Sequence, residues 1–233
     1  PVGMKANFKE GYEYMQGNDA CYIAKYEGGI DSIVWRMSGD GLLGMEAVLL
    51  NDPKGHGFEG AFFDKKIYNL GLTFSFPEKE VKGMKWMGRG PYRVWKNRIK
   101  GTNYGIWEKE YNNTITGESF DHLIYPEFKG YHANVYWATL ESDRVPFTVY
   151  SESDGLFFRV FTPLEPVHRR NGENTMWEFP EGDISFLYDI PAMRSGKSIP
   201  ELGPHSQPSS IRIKKGDDGF KMKLWFDFRV RKM

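Results

Sequence analysis

Two stretches of the chain alternate between apolar and polar positions. Leu70, Leu72, Phe74 and Phe76 fall on one face of an extended segment, and Phe220, Met222, Leu224, Phe226 and Phe228 do the same near the C-terminus. A period of two sends successive side chains to opposite faces, so each segment predicts a strand with one buried face. Shorter apolar runs predict strands at 22–26, 30–35, 146–150, 156–161, 184–188 and 211–213. Turn signals stand between them: Glu27-Gly28-Gly29, Ser38-Gly39-Asp40-Gly41, Ser153-Asp154-Gly155 and Gly216-Asp217-Asp218-Gly219. Residues 214–219 read as a polar hairpin turn leading into the last strand.

Helical spacing is nearly absent. Its best case, 42–50, is short and broken by Gly44. Many short strands with glycine-rich turns predict an all-β sandwich whose core includes Leu72, Phe74, Phe76, Met222, Leu224 and Phe226. Without repeated strand-helix units a TIM barrel is excluded. No fixed-period repeat and no long Ser, Gly or Pro tract divides the chain, so residues 1–233 are expected to form one domain, with loops at 51–66, 162–177 and 193–210.

Composition narrows the function classes. The 233 residues are 40% hydrophobic, which suits a packed core and not a disordered chain. Lys and Arg (31) balance Asp and Glu (31), which removes the positive field that nonspecific nucleic-acid or membrane binding uses. Neither is expected as a partner. Cys21 is the single cysteine, so no intrachain disulfide and no multi-cysteine cluster can form. Five histidines, His56, His122, His132, His168 and His205, are too scattered for a closely spaced metal site, and no metal or cofactor is expected. No run of about 18 apolar residues predicts a membrane span. A chain opening Pro1-Val2-Gly3 is expected to be a piece of a longer protein.

Residues 86–140 carry the densest chemistry: Trp86, Trp95, Trp107 and Trp137, several tyrosines, and the basic run Arg89, Arg93, Lys96, Arg98 and Lys100. Sugars present apolar CH faces and hydroxyl edges, so tryptophan beside fixed polar donors suits a carbohydrate surface. The competing reading is that these tryptophans are core. Glu108 and Glu110 share one strand face and read as a solvent-facing acidic pair. Arg169-Arg170 read as a solvated basic pair, and Asn112-Asn113-Thr114 matches the short N-glycosylation pattern.

Residues 86–98, Trp-Met-Gly-Arg-Gly-Pro-Tyr-Arg-Val-Trp-Lys-Asn-Arg, resemble the Gly-x-Gly-Pro-x-Glu-Asn-Tyr-x-Asp-Arg signature in the C-terminal domain of glycoside hydrolase family 2 β-galactosidases. Gly28-Gly29-Ile30 with Trp35 resembles that domain's early strand pair, and 72–77 the strand before the signature. Tyr125-Pro126-Glu127-Phe128-Lys129-Gly130, followed by Trp137 and Leu140, resembles its Pro-x-Glu-x-Gly, Arg-Trp and Leu stretch. The departures are Arg93-Val94-Trp95 for Glu-Asn-Tyr, Asn97 for Asp, Tyr136 for Arg, and the glutamate of the Pro-x-Glu stretch one place early at Glu127, so galactose specificity is not carried over.

The resemblance implies a β-supersandwich of the galactose-mutarotase-like type at the C-terminal end of a multidomain glycoside hydrolase. The family's catalytic glutamates lie in a separate barrel, so that barrel is an expected partner and this segment is expected to be non-catalytic. A retaining glycosidase needs two carboxyl groups about 5–5.5 Å apart, and the sequence singles out no such pair. A periplasmic or extracellular place is implied for the parent, with the compartment itself left open. The resemblance carries over Arg98, Glu127 and Trp137 as carbohydrate-contacting residues. Sugar chemistry adds Arg93, Trp95 and His132, which supply a ring face and fixed hydrogen-bond donors. Two alternatives stand beside this: a mutarotase- or lyase-like enzyme using Glu127 with His122 or His132, and a purely structural platform.

Overall fold

The computed structural model describes residues 6–51, 66–112, 127–163 and 179–192, and, further on, 201, 203, 211–214, 216 and 218–229. Fifteen strands and two single-turn 3-10 segments account for its regular structure, and no α-helix occurs among the described residues. β1 (Ala6–Gln16), β2 (Asp19–Gly28), β3 (Ile30–Met37) and β4 (Leu42–Leu49) run as an antiparallel meander. β5 (Lys66–Ile67) and β6 (Gly71–Phe74) lead to the signature strand β7 (Val81–Gly90) and its partner β8 (Asn103–Glu110). Then come β9 (Gly130–His132), β10 (Trp137–Ser142), β11 (Phe147–Ser151), β12 (Phe157–Val160), β13 (Ile184–Leu187), β14 (Ile211–Arg212) and β15 (Phe220–Asp227).

Nine of these form one antiparallel sheet in the order β1-β2-β3-β4-β15-β11-β10-β7-β8, and four form a second in the order β6-β13-β12-β9. The main core fills the space between them. Met45, Ala47, Leu49, Met84, Trp86, Leu140, Met222 and Leu224 from the large sheet meet Leu72, Phe158, Val160 and Phe186 from the small one. The all-β sandwich reading therefore holds. Of the six residues assigned to the core, Leu72, Met222, Leu224 and Phe226 are buried, and Phe74 and Phe76 are half-buried against it. Phe228 lies past the end of β15 and is exposed.

The region with the best helical spacing is β4. Its Met45, Ala47 and Leu49 point to the core at strand period, and Gly44 lies beneath the Trp225 ring. Residues 214–219 do not close a hairpin: β14 pairs with β5, whereas β15 pairs with β4 and β11, so the turn links two sheets. Local polarity marks a turn but cannot say with which strand the next segment pairs. The expected loops at 51–66, 162–177 and 193–210 lie almost wholly outside the described residues.

Three strands of the small sheet, β9, β12 and β13, are buried on both faces. The sheet's inner face meets the main core, and its outer face carries Tyr131, Phe157 and Leu187, covered by Val94, Trp95, Ile99 and Ile190. Strands buried on both faces read as continuous apolar runs, as in Phe157-Phe158. Arg159 interrupts that run and is fully buried. Its guanidinium donates to Ser185 Oγ and to the Gly182 and Pro180 carbonyls, each at 3.0 Å, so its polar atoms are satisfied locally.

Candidate functional site

The signature strand ends in two glycines that close contact requires. A Cβ at Gly88 would stand 3.0 Å from the Ala133 and Asn134 carbonyl oxygens, and one at Gly90 would enter the Trp107 ring at 2.5 Å. Beyond Pro91 the chain crosses the outer face of the small sheet. Val94 N donates to the Tyr131 carbonyl at 2.7 Å, and Lys96 N to the Pro191 carbonyl at 3.0 Å. This crossing buries Trp95, whose ring packs on Tyr131 (5.5 Å between centroids) and Phe179 (5.6 Å). Arg98, three residues on, is exposed.

Arg93, Glu127 and His132 are brought together in an inward-facing polar cluster with Lys109. Arg93 Nε lies 3.2 Å from Glu127 Oε1, and Lys109 Nζ donates to the Glu127 carbonyl at 2.6 Å. His132 is fully buried, its ring edge-on to Trp86 at 4.8 Å. Its Nε2 donates to the Phe128 carbonyl at 3.1 Å, and Nδ1 has no hydrogen-bond partner among the described residues. Burial pushes the imidazole down to about 3, with the Lys109 and Arg93 charges adding to the effect, so the ring is neutral. Burial also lowers Lys109 to about 8, opposed by Glu127 and helped by Arg93.

Trp137 stands elsewhere, half-buried on the outer face of the large sheet. Trp95 shares the Tyr131 side of the small sheet, opposite to His132. The six sequence-derived candidates therefore do not converge on one surface. His122, Arg169, Arg170 and the Asn113-Thr114 part of the glycosylation pattern lie outside the described residues. Glu108 and Glu110 are exposed on β8, and Glu108 pairs with Lys85 at 3.7 Å.

Around Trp137 the register aligns an aromatic row. Trp225, Tyr150, Trp137, Met87 and Ile106 are successive partners across β15, β11, β10, β7 and β8. All point away from the core, because their sequence neighbours Leu224, Val149, Ala138 and Trp86 are buried in it. The Trp225 ring lies across Gly44: a Cβ there would stand 2.9 Å from Cζ3 and 3.1 Å from Cε3 and Cη2. One ring face thus rests on the strand, and Lys223 Nζ stands over the ring, 5.8 Å from its centroid. Trp225 Nε1 donates to Glu152 Oε1 at 2.5 Å, and Lys223 Nζ holds the other oxygen at 2.6 Å. Those bonds, Lys223 first, keep the Glu152 carboxyl below its ordinary range. On the neighbouring rung Thr139 and Thr148 join their hydroxyls at 2.8 Å.

A separate cleft of about 340 Å³ opens at one end of the sandwich, with Arg89, Lys100, Tyr104 and Asn134 at its walls and Lys96 and Asp189 below. Lys96 Nζ and Asp189 Oδ2 form a buried ion pair.

Residues 12–171 match the family model of the beta galactosidase small chain. The chain belongs to that family. Curated proteins yield no match to it. Within this β-galactosidase small-chain domain the match takes in the signature strand, Trp137 and Tyr150, and stops before Asp189 and Trp225. Sequence reasoning missed Trp225 as a site residue, although a signal was present: in β15 it occupies the polar parity, alongside Lys221, Lys223 and Asp227.

Proposed function

We propose that this domain is a non-catalytic, carbohydrate-contacting part of a β-galactosidase-like glycoside hydrolase whose catalytic barrel lies elsewhere in the parent chain. The outward-facing row of Trp225, Tyr150 and Trp137 carries the reading. Trp225 and Trp137 sit two strands apart, about 10 Å at ordinary sheet spacing, so their rings suit a chain of sugar units more than a single one. Hydroxyls and charges of both signs flank them, from Thr139, Thr148, Glu152 and Lys223, as neutral hydroxylated ligands require. The cleft adds no acid/base pair among the described residues, because its one carboxylate, Asp189, is held by Lys96.

The mutarotase- or lyase-like alternative finds less support. A fully buried, neutral His132 cannot supply a proton near neutral pH, and Glu127 is engaged by Arg93. The test is affinity electrophoresis of the 233-residue chain and its Trp225→Ala variant through gels carrying neutral β-linked galactans and glucans. Retardation that the variant loses, with no hydrolysis of an aryl β-galactoside, is the expected result. A chain that no glycan retards overturns the carbohydrate contact. Turnover by the pure chain that Glu127→Gln abolishes overturns the non-catalytic reading.

A further inference from the structure

Exposed Arg98 apart, the fold sorts the basic run of the signature segment into two sets. Glu127 neutralises Arg93, and Asp189 neutralises Lys96. Arg89 and Lys100 have no carboxylate within ion-pair distance among the described residues, and both line the cleft at the end of the sandwich. Among the described residues the cleft lining therefore holds three cations, Arg89, Lys96 and Lys100, against one carboxylate, Asp189. Asp189 is also answered from within, since its Oδ1 accepts the Ile190 N–H at 2.9 Å.

Arg89 is fixed in place. Its Nε donates to Asn134 Oδ1 at 3.2 Å, its Nη1 to the Thr102 carbonyl at 3.3 Å, and its guanidinium carbon stands 4.5 Å from the Tyr104 ring centroid. Two of five N–H donors are engaged, which leaves Nη2 for a ligand. Asn134 adopts φ 50°, a left-handed conformation uncommon outside glycine. With Oδ1 held by Arg89, its amide nitrogen is a further donor at the cleft wall. Small-molecule sites span about 300–1,000 Å³, and a cleft of about 340 Å³ falls at the size of one or two sugar rings.

A donor-rich, net-positive cleft of this size leaves two cations unanswered when a neutral sugar fills it. We infer that it binds an anionic saccharide unit, a sugar ring bearing a carboxylate or a sulfate, with the acid group on Arg89 and Lys100 and hydroxyls on Asn134 and Tyr104. Arg89 is suited to this because its Nη2 N–H groups can make charge-assisted hydrogen bonds to either oxyanion. The saccharide part rests on the carbohydrate-contacting reading above; the anionic part stands on the charges alone.

The experiment is calorimetric titration of the 233-residue chain with galacturonate, galactose 6-sulfate, galactose and inorganic sulfate, repeated on Lys100→Ala, Arg89→Gln and Trp225→Ala. One acidic sugar, at least, is expected to bind about ten-fold more tightly than galactose or inorganic sulfate, and to weaken with added salt. The stronger of the two names the acid group. Lys100→Ala and Arg89→Gln both lower that affinity, and Trp225→Ala leaves it unchanged, which separates this cleft from the outer sheet face. Lys100 is exposed, so its removal keeps the test valid even where Arg89→Gln unfolds the chain. Equal affinity for galactose, an affinity untouched by Lys100→Ala, or no binding of either acidic sugar overturns the inference. Inorganic sulfate binding as tightly as the sulfated sugar overturns its saccharide part.

Discussion

Arg93 and Glu127 answer one another across the signature segment, Nε to Oε1 at 3.2 Å, with side chains 9% and 20% exposed. Both are sugar-contact candidates by sequence, yet in the fold each is the other's partner. Removing one leaves a desolvated charge behind. Glu127→Gln is accordingly expected to destabilise the domain by about 2–4 kcal/mol, and the double change Arg93→Met with Glu127→Gln by less than the sum of the single changes. Urea denaturation of the three variants measures this. Additive losses would mean that the pair does not couple.

Trp95 and Trp225 are predicted to behave oppositely. Trp95 is buried against Tyr131 and Phe179, so Trp95→Ala costs about 3–5 kcal/mol and lowers the melting temperature by many degrees. Trp225 rests on the outer sheet face, and Trp225→Ala costs much less stability while abolishing retardation by neutral glycans. Differential scanning calorimetry beside affinity electrophoresis separates the two effects.

Acid is expected to weaken the fold through His132. Its ordinary value is 6.5 and the folded value about 3, so between these the unfolded chain takes up a proton that the folded chain refuses. Stability is therefore fully present above pH 6.5 and falls as pH drops toward 3, by about 1.4 kcal/mol per pH unit at most. The Lys109 and Arg93 charges help to lower the folded value and so widen the pH range over which stability is lost. Urea unfolding across this range, compared between the wild type and His132→Gln, is the measurement. A His132→Gln variant whose slope matches the wild type would refute the assignment.

Two glycines should respond differently to a methyl group. At Gly71 a Cβ would stand 1.9 Å from the Phe186 carbonyl oxygen, so Gly71→Ala must part β6 from β13 and is expected to cost about 3 kcal/mol or more. At Gly44 the obstacle is the Trp225 ring, which can tilt. Gly44→Ala is expected to cost about 1 kcal/mol and to change glycan retention through the displaced ring. Thermal melts and affinity gels on both variants check the contrast.

Much of the fold was legible in the chain because half-buried strands write their geometry locally. Met222, Leu224 and Phe226 alternate with Lys221, Lys223 and Trp225, and that alternation alone assigns β15 a buried face. Glycine-rich turns marked where the meander reverses. The resemblance of residues 86–98 pointed to the family that residues 12–171 match.

Only the tertiary structure decided which strands meet and hence which side chains share a surface. β15 inserts between β4 and β11, partners separated from it by long stretches of sequence, and this pairing places Trp225 beside Tyr150 and one strand further from Trp137. His132 looks in sequence like a polar residue among aromatics, but β9 is buried on both faces, and burial makes the imidazole neutral. The basic run from Arg89 to Lys100 is uniform in sequence. Whether a cation finds a carboxylate depends on residues as distant as Glu127 and Asp189, so pairing in space, and not composition, separates the structural cations from those left facing the cleft.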